Sequence, residues 1–271
     1  MARPARRSAD PLAYCGGRFV PAARARVPLL DRGFLFGDGV FETLRTYGRR
    51  PFRLGRHLER LRRSARGLAF EITETDEALA RIIHEGIGRV DLPEVSVRLM
   101  VTRGVSQPSY LPPEPASPQV YGIFGPLPVF SPQPGQQGVK IVTWVEEKPE
   151  RFSRVKIMNG VPAITARRVA VSRGAYEAVR TSPQGALIEG FISNIFVVSG
   201  GVLRTPPVEA GLLDGVTRGV IMEVARIWGL TVREEPIPVA DLGATQEVFL
   251  THTSVGVMPV VDADGVRIGD G

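Results

Sequence analysis

Residues 125–138 read Gly-Pro-Leu-Pro-Val-Phe-Ser-Pro-Gln-Pro-Gly-Gln-Gln-Gly, with four prolines and three glycines in fourteen positions. No helix interior or central strand tolerates such a run, because each proline fixes φ and removes a backbone donor. The run therefore divides the chain into an N-terminal part, 1–124, a linker, 125–138, and a C-terminal part, 139–271. Each part holds both strand-like alternation and helix-like spacing. With 271 residues at 43% hydrophobic, there is enough apolar material for two cores. A second Pro-rich stretch, 107–118, reads as a loop.

The net charge of +6 and a pI near 10 raise the possibility of a nucleic-acid partner. The arginines are spread through every segment, however, and the densest cluster is no longer than Arg60-Leu61-Arg62-Arg63. The excess reads as an arginine-rich solvated surface, with no nucleic-acid site. A single cysteine, Cys15, excludes an internal disulfide, and no Cys/His spacing suggests a metal site. A cytoplasmic location is the simplest expectation. Residues 1–13 are arginine-rich but lack the apolar core of a signal peptide, and no later run approaches membrane-spanning length.

Of 34 basic residues only three are lysines: Lys140, Lys148 and Lys156. A primary amine can form a Schiff base with a carbonyl group, which a guanidinium cannot. Chemistry of that kind has few candidates here. Lys156, flanked by Val155 and Ile157 just ahead of a helix-like run, is the one whose surroundings elsewhere in the chain give it meaning.

Residues 14–27 read as a hairpin turning at Gly16-Gly17. In 31–45, three glycines within seven residues lead into an alternating strand from Val40 to Arg45. Residues 56–68 carry Leu58, Leu61, Ala65 and Leu68 at helical spacing, with Arg60 beside that stripe. There it is either a surface side chain lying along apolar neighbours or an anion ligand. A second helix over 76–87 starts at Thr75 as N-cap. In the strand 95–103, Val95, Val97, Leu99 and Val101 face one way, and Arg98 leaves by the other face. Residues 139–145 read as a strand, 162–171 as a helix, and 186–198 as Glu189 followed by a strand. After Thr217, Val220, Ile221, Val224 and Ile227 mark the inward face of a helix ending at Gly229.

The run DRGFLFGDGVFETLRTYGRRPFRLGRHLERL, from Asp31 to Leu61, resembles the opening of the class IV, or fold-type IV, aminotransferases that use pyridoxal phosphate. That superfamily includes branched-chain and D-amino-acid aminotransferases and the aminodeoxychorismate lyases. The resemblance extends over five segments in the family's order. It places the cofactor-phosphate arginine on Arg60, the substrate-pocket aromatic of G-V-[FY]-E on Phe41, and an arginine able to meet an acidic substrate side chain on Arg98. The segment around Lys156 is similar to I-K-[ST]-x-N-Y-x-P, with Asn159 and Pro162 on its asparagine and proline and Gly160 in place of the tyrosine. Arg151 or Arg154 is the candidate for the missing contact to the cofactor's phenolic oxygen. ALIEGFISNIFVV, from Ala186 to Val198, is similar to T-E-G-S-S-S-N-I-F-L-V, which makes Glu189 the partner of the pyridine nitrogen. The same pattern implies Leu213 on the cofactor ring, and Val216 and Thr217 at a helix start that binds phosphate. The resemblance also matches Thr253 and Ser254 to the family's turn that contacts phosphate and substrate carboxylate, while His252, at a position often filled by glycine or serine, is read as structural.

Two departures matter. In the loop from Gly104 to Tyr110, the bacterial D-amino-acid enzymes place an arginine and a histidine, whereas this chain has Pro108 and the pocket candidate Tyr110. Phe191 and Ile192 replace two small hydroxyl residues. Ser153-Arg154-Val155-Lys156 also spells the S-x-x-K of β-lactamases, but no later K-T-G exists, since no lysine follows Lys156. The resemblance implies two α/β domains, the larger C-terminal one with a barrel-like sheet, with pyridoxal phosphate in the cleft between them. It also implies a homodimer whose active sites borrow residues from the partner. The activity it implies is transfer of an amino group from an amino acid, branched-chain or similar, to a 2-oxo acid. An aminodeoxychorismate lyase is the alternative, and a D-amino-acid or amine transaminase ranks below both.

Overall fold

A computed structural model of the chain describes residues 10–128, 138–146 and 152–270. Most of the linker, together with Lys148 and Arg151, lies outside the described residues. The chain forms two compact units, one comprising 1–129 and 155–158, the other 130–154 and 159–271. Lys156 thus belongs to the first unit although its sequence neighbours on both sides belong to the second.

The first unit begins with the hairpin β1 (Leu12–Cys15) and β2 (Arg18–Pro21), whose turn residues Gly16 and Gly17 both have positive φ. It continues with α1 (Arg32–Phe36), β3 (Gly39–Tyr47), β4 (Arg50–Pro51), α2 (Leu54–Gly67), α3 (Asp76–Arg89), β5 (Ser96–Thr102) and β6 (Gln119–Gly125). The strands form one antiparallel sheet in the order β2-β1-β6-β5-β3-β4. Thr75 caps α3 as the sequence predicts, accepting from the Ala78 N–H at 3.2 Å. The core joins Leu58, Leu61 and Ala65 of α2 and Leu79, Ile83 and Ile87 of α3 to Val97, Leu99 and Val101 of β5. Gly86 admits the Phe124 ring, since a Cβ there would stand 2.2 Å from it.

The second unit comprises β7 (Val139–Val145), α4 (Val161–Ser172), β8 (Glu177–Thr181), β9 (Leu187–Gly190), β10 (Asn194–Ser199), β11 (Val202–Thr205), α5 (Val216–Ile227), β12 (Thr231–Glu234), β13 (Glu247–His252), β14 (Gly256–Ala263) and β15 (Val266–Arg267). Its mixed sheet runs β12-β11-β10-β13-β14-β7-β8-β9, with β15 on β14. The β7/β8 and β11/β12 pairs are parallel, and α4 and α5 supply the crossovers such pairs require.

Two expectations are corrected. The single strand read after Glu189 is broken, because residues 191–193 bend between β9 and β10. The inward face of α5 is also rotated. Arg218, Met222 and Ala225 are buried, whereas Ile227 is 73% exposed. Arg218 causes the shift: its Nη2 donates to Glu234 at 2.7 Å and to the Pro206 carbonyl at 3.0 Å, which ties the helix by that side.

Candidate active site

In the first unit, the segment Val155–Met158 runs along the start of β3. The Phe41 N–H donates to the Lys156 carbonyl at 3.0 Å, and the Met158 N–H to the Gly39 carbonyl at 2.9 Å. The Lys156 N–H donates to the Ser64 hydroxyl of α2 at 3.2 Å. The backbone around Lys156 is therefore fixed without using its side chain. Lys156 Nζ lies 4.6 Å from the centre of the Phe41 ring, and the Arg98 guanidinium lies 3.9 Å from the same centre. Phe41 and Arg98 reach this position because β3 and β5 are antiparallel neighbours, with Phe41 opposite Met100 and Thr43 opposite Arg98. Lys140, the other described lysine, is 56% exposed and 3.9 Å from Asp262. Tyr110 does not join the stack; it is 92% exposed and packs on Phe36, centroid to centroid 5.4 Å.

Arg60 is buried rather than spread on the surface. Its Nε and Nη2 both donate to Glu42, each at 2.7 Å, and His57 Nδ1 stands 2.7 Å from the same carboxylate. Burial alone would raise the Glu42 carboxyl, but the Arg60 charge and the hydrogen bonds from Arg60 and His57 bring it down to about 2. Neither Glu42 nor His57 was singled out from the sequence. The signal was present: Glu42 shares its strand phase with the buried Val40 and Leu44.

In the second unit, Glu189 lies at the buried end of β9. Arg180 Nη2 donates to its Oε1 at 2.6 Å, while Asn194 Nδ2 and the Leu213 N–H donate to its Oε2 at 3.0 and 3.1 Å. Asn194 Nδ2 also donates to the Leu213 carbonyl at 2.8 Å, which binds the turn ahead of α5 to the strand. The following Gly215 is required by crowding, since a Cβ there would stand 2.0 Å from Asn194 Oδ1. Helix α5 then begins at Val216 and Thr217 with neither a capping side chain nor an acidic residue in its first turn. Its leading N–H groups remain available to an anion. Across the ladder from Asn194, Thr251 is buried and its hydroxyl has no partner. Thr253 and Ser254 form the half-buried turn that follows β13. His252, read as structural, lies 3.0 Å from the Tyr176 hydroxyl. Arg154 is exposed.

The bend at 191–193 has its own anchor, which the sequence did not reveal. The Ile192 N–H and the Ser193 hydroxyl donate to Glu177 at 2.7 and 2.8 Å. Burial pushes the Glu177 carboxyl up to about 7, against those two hydrogen bonds and the Arg167 charge. Between its ordinary value of 4.5 and about 7 the native state holds a proton that the unfolded state has lost, so stability falls as pH rises through that window. Glu177→Gln removes the titration. Its unfolding free energy relative to the parent should improve by about 2–3 kcal/mol from pH 5 to pH 8. Urea titrations at both pH values giving equal differences would contradict this.

Residues 39–263 match the family described as "Amino-transferase class IV". A Methanocaldococcus jannaschii protein named "Putative branched-chain-amino-acid aminotransferase" is 36% identical over 255 residues, 93% of this chain and 88% of that protein. A D-alanine aminotransferase of Staphylococcus epidermidis is 30% identical over 95% of this chain and 91% of its own length. Among solved structures, the branched-chain aminotransferase of Thermoproteus uzoniensis with norvaline superposes with a TM-score of 0.86 at 28% identity, covering 96% of this chain and 89% of that one. Class IV aminotransferases depend on pyridoxal phosphate, and their fold-type IV architecture is the mixed α/β arrangement described above. The chain belongs to the class IV aminotransferase family.

Proposed function

We propose that this aminotransferase moves the amino group of a branched-chain or similar amino acid to a 2-oxo acid, with Lys156 as the catalytic residue. The observation that carries the reading is the placement of Lys156: a half-buried primary amine, held through its backbone and lying against Phe41. The 36% identity to the Methanocaldococcus jannaschii relative favours a branched-chain donor. The absence of an arginine and a histidine at 108–110 speaks against the D-alanine pattern.

The residues present fit pyridoxal phosphate. Glu189 supplies an oriented carboxylate for a ring nitrogen, and Leu213 an apolar side chain for the ring. The uncapped start of α5 at Val216 and Thr217, the unpartnered Thr251 hydroxyl, and the turn at Thr253 and Ser254 supply donors for a phosphate. Arg60 adds a guanidinium held by Glu42. When bound, the cofactor supplies an electron sink for the pair left by the departing α-proton. Lys156 Nζ would hold the cofactor through its carbonyl carbon, and once displaced there by the substrate's amino group the freed amine would move the α-proton as general base and acid. Phe41 shapes the substrate side of Lys156, and Arg98 meets an acidic substrate side chain. In a coupled assay, Arg98→Met is expected to raise KM for L-glutamate about tenfold or more and leave L-leucine nearly unchanged, as for loss of one charged contact. Equal effects on both donors would remove Arg98 from substrate recognition.

A homodimer belongs to the same proposal. Leu29, Phe34, Tyr110 and Leu111 are exposed on adjoining segments of the first unit, joined by the Asp31–Val105 bridge. Four large apolar side chains left this exposed on one unit are the feature a partner would cover, and the reading assigns them a second copy. Light scattering should give twice 29.4 kDa for the parent and 29.4 kDa for Leu29→Glu/Phe34→Glu. A monomeric parent would refute the dimer.

A further inference from the structure

Among the buried cations to which the mechanism so far gives no role, Arg180 is the one that touches Glu189. Arg180 is only 5% exposed, yet it lies between two carboxylates. Its Nη1 donates to both Glu146 oxygens at 3.1 and 3.0 Å, and its Nη2 to Glu189 Oε1 at 2.6 Å and to the Gly211 carbonyl at 3.1 Å. The geometry follows from the ladder: Arg180 of β8 stands directly opposite Glu189 of β9, so both side chains leave the same face. A buried guanidinium between two carboxylates is a poor device for stability alone, because desolvation costs about as much as the attraction returns. The neighbouring positions on that face, Val142, Trp144, Ala178 and Phe191, show that apolar packing was available.

We infer that Arg180 is a positioning residue which, acting through Glu189, keeps the proton shared between that carboxylate and the cofactor's ring nitrogen on the nitrogen. This rests on the reading of Glu189 as the ring-nitrogen partner. A carboxylate and a pyridine are bases of comparable strength, so the proton between them goes to whichever the surroundings make more basic. Burial without a cation makes a carboxylate the stronger base. The proton would then settle on Glu189 and leave a neutral ring, a weaker electron sink. Arg180 at 2.6 Å opposes this by stabilising the Glu189 anion, and Asn194 and the Leu213 N–H act in the same sense from the other oxygen. Glu146 has a separate part. With it, the three side chains Glu146, Arg180 and Glu189 sum to one negative charge, which matches a single cationic N–H.

The test is the ¹⁵N chemical shift of pyridoxal phosphate labelled at the ring nitrogen and bound to the protein, measured at one pH on variants whose folding is checked by circular dichroism. The parent should show the protonated nitrogen. Arg180→Met should move the shift by more than half of the span towards a neutral pyridine, and Arg180→Lys, which keeps a cation, by less than half. Should Arg180→Met fold poorly, Arg180→Met/Glu146→Gln removes the cation together with the half-buried Glu146 charge that it pairs with and should still move the shift towards neutral pyridine. An unchanged shift in a folded variant lacking the Arg180 cation overturns the inference. Glu189→Gln is the separate control: it should lose the protonated signal whatever Arg180 does. If it does not, the role of Glu189 fails and not that of Arg180 alone.

Discussion

Lys156→Ala is expected to abolish transamination, to below about one part in ten thousand of the parent rate, while the protein stays folded. The rate falls because the variant lacks both the amine that holds the cofactor and the base that moves the α-proton, and no other described lysine can substitute. Lys140 is solvent-exposed, and Lys148 lies outside the described residues. The fold survives because the interactions anchoring this segment come from its backbone: the Lys156 carbonyl accepts from Phe41, and its N–H donates to Ser64. Lys156→Arg should be equally inactive despite keeping the charge, since a guanidinium does not form the covalent link. Measurable turnover by either variant, with unchanged circular dichroism, would remove Lys156 from the mechanism.

Glu42→Ala should be the most damaging substitution for stability, costing about 3–5 kcal/mol in urea unfolding. It leaves the Arg60 guanidinium buried without its carboxylate, and that loss is a large share of the roughly 5–15 kcal/mol that holds a domain folded. The same carboxylate governs the acid limb of stability. Its folded value of about 2 lies below the ordinary 4.5, so the stabilisation is complete above pH 4.5 and is lost as pH falls from there through about 2. The loss amounts to about 3 kcal/mol. Glu42→Gln, already without the charge, should show a shallower decline over that interval. Superimposable acid limbs for parent and variant would mean that Glu42 is not the titrating group.

The elements that sequence reading found most readily were those whose pattern is local. The alternation in β5, the Thr75 cap and the Gly16-Gly17 turn all depend on residues a few positions apart. The family was legible through motif order, and that order picked out Glu189 and Lys156 as the residues proposed for the site. The partners that hold these and the neighbouring side chains were not, because each is a long-range pairing; the phase of β3 marks Glu42 as inward-facing but does not name Arg60. Glu42 meets Arg60 eighteen positions on, and Arg180 meets Glu146 thirty-four positions back. Glu177 holds a bend that begins fourteen residues later. Helix α5 shows a different limit. Its aliphatic spacing pointed to Ile227, but the pairing of buried Arg218 with the exposed Glu234 set the rotation of the helix, and hydrophobic periodicity carries no information about an inward-facing arginine.

The most direct test of the central claim is a half-reaction followed by visible absorbance. The purified protein is loaded with pyridoxal phosphate, and L-leucine, D-alanine and L-glutamate are added separately, with no acceptor present. The expected result is a visible band that gives way to the pyridoxamine form with L-leucine, returns when a 2-oxo acid is added, and does neither in Lys156→Ala. Conversion by D-alanine alone would keep the transaminase and reassign its donor. A parent whose band is unchanged by every amino donor would contradict the account.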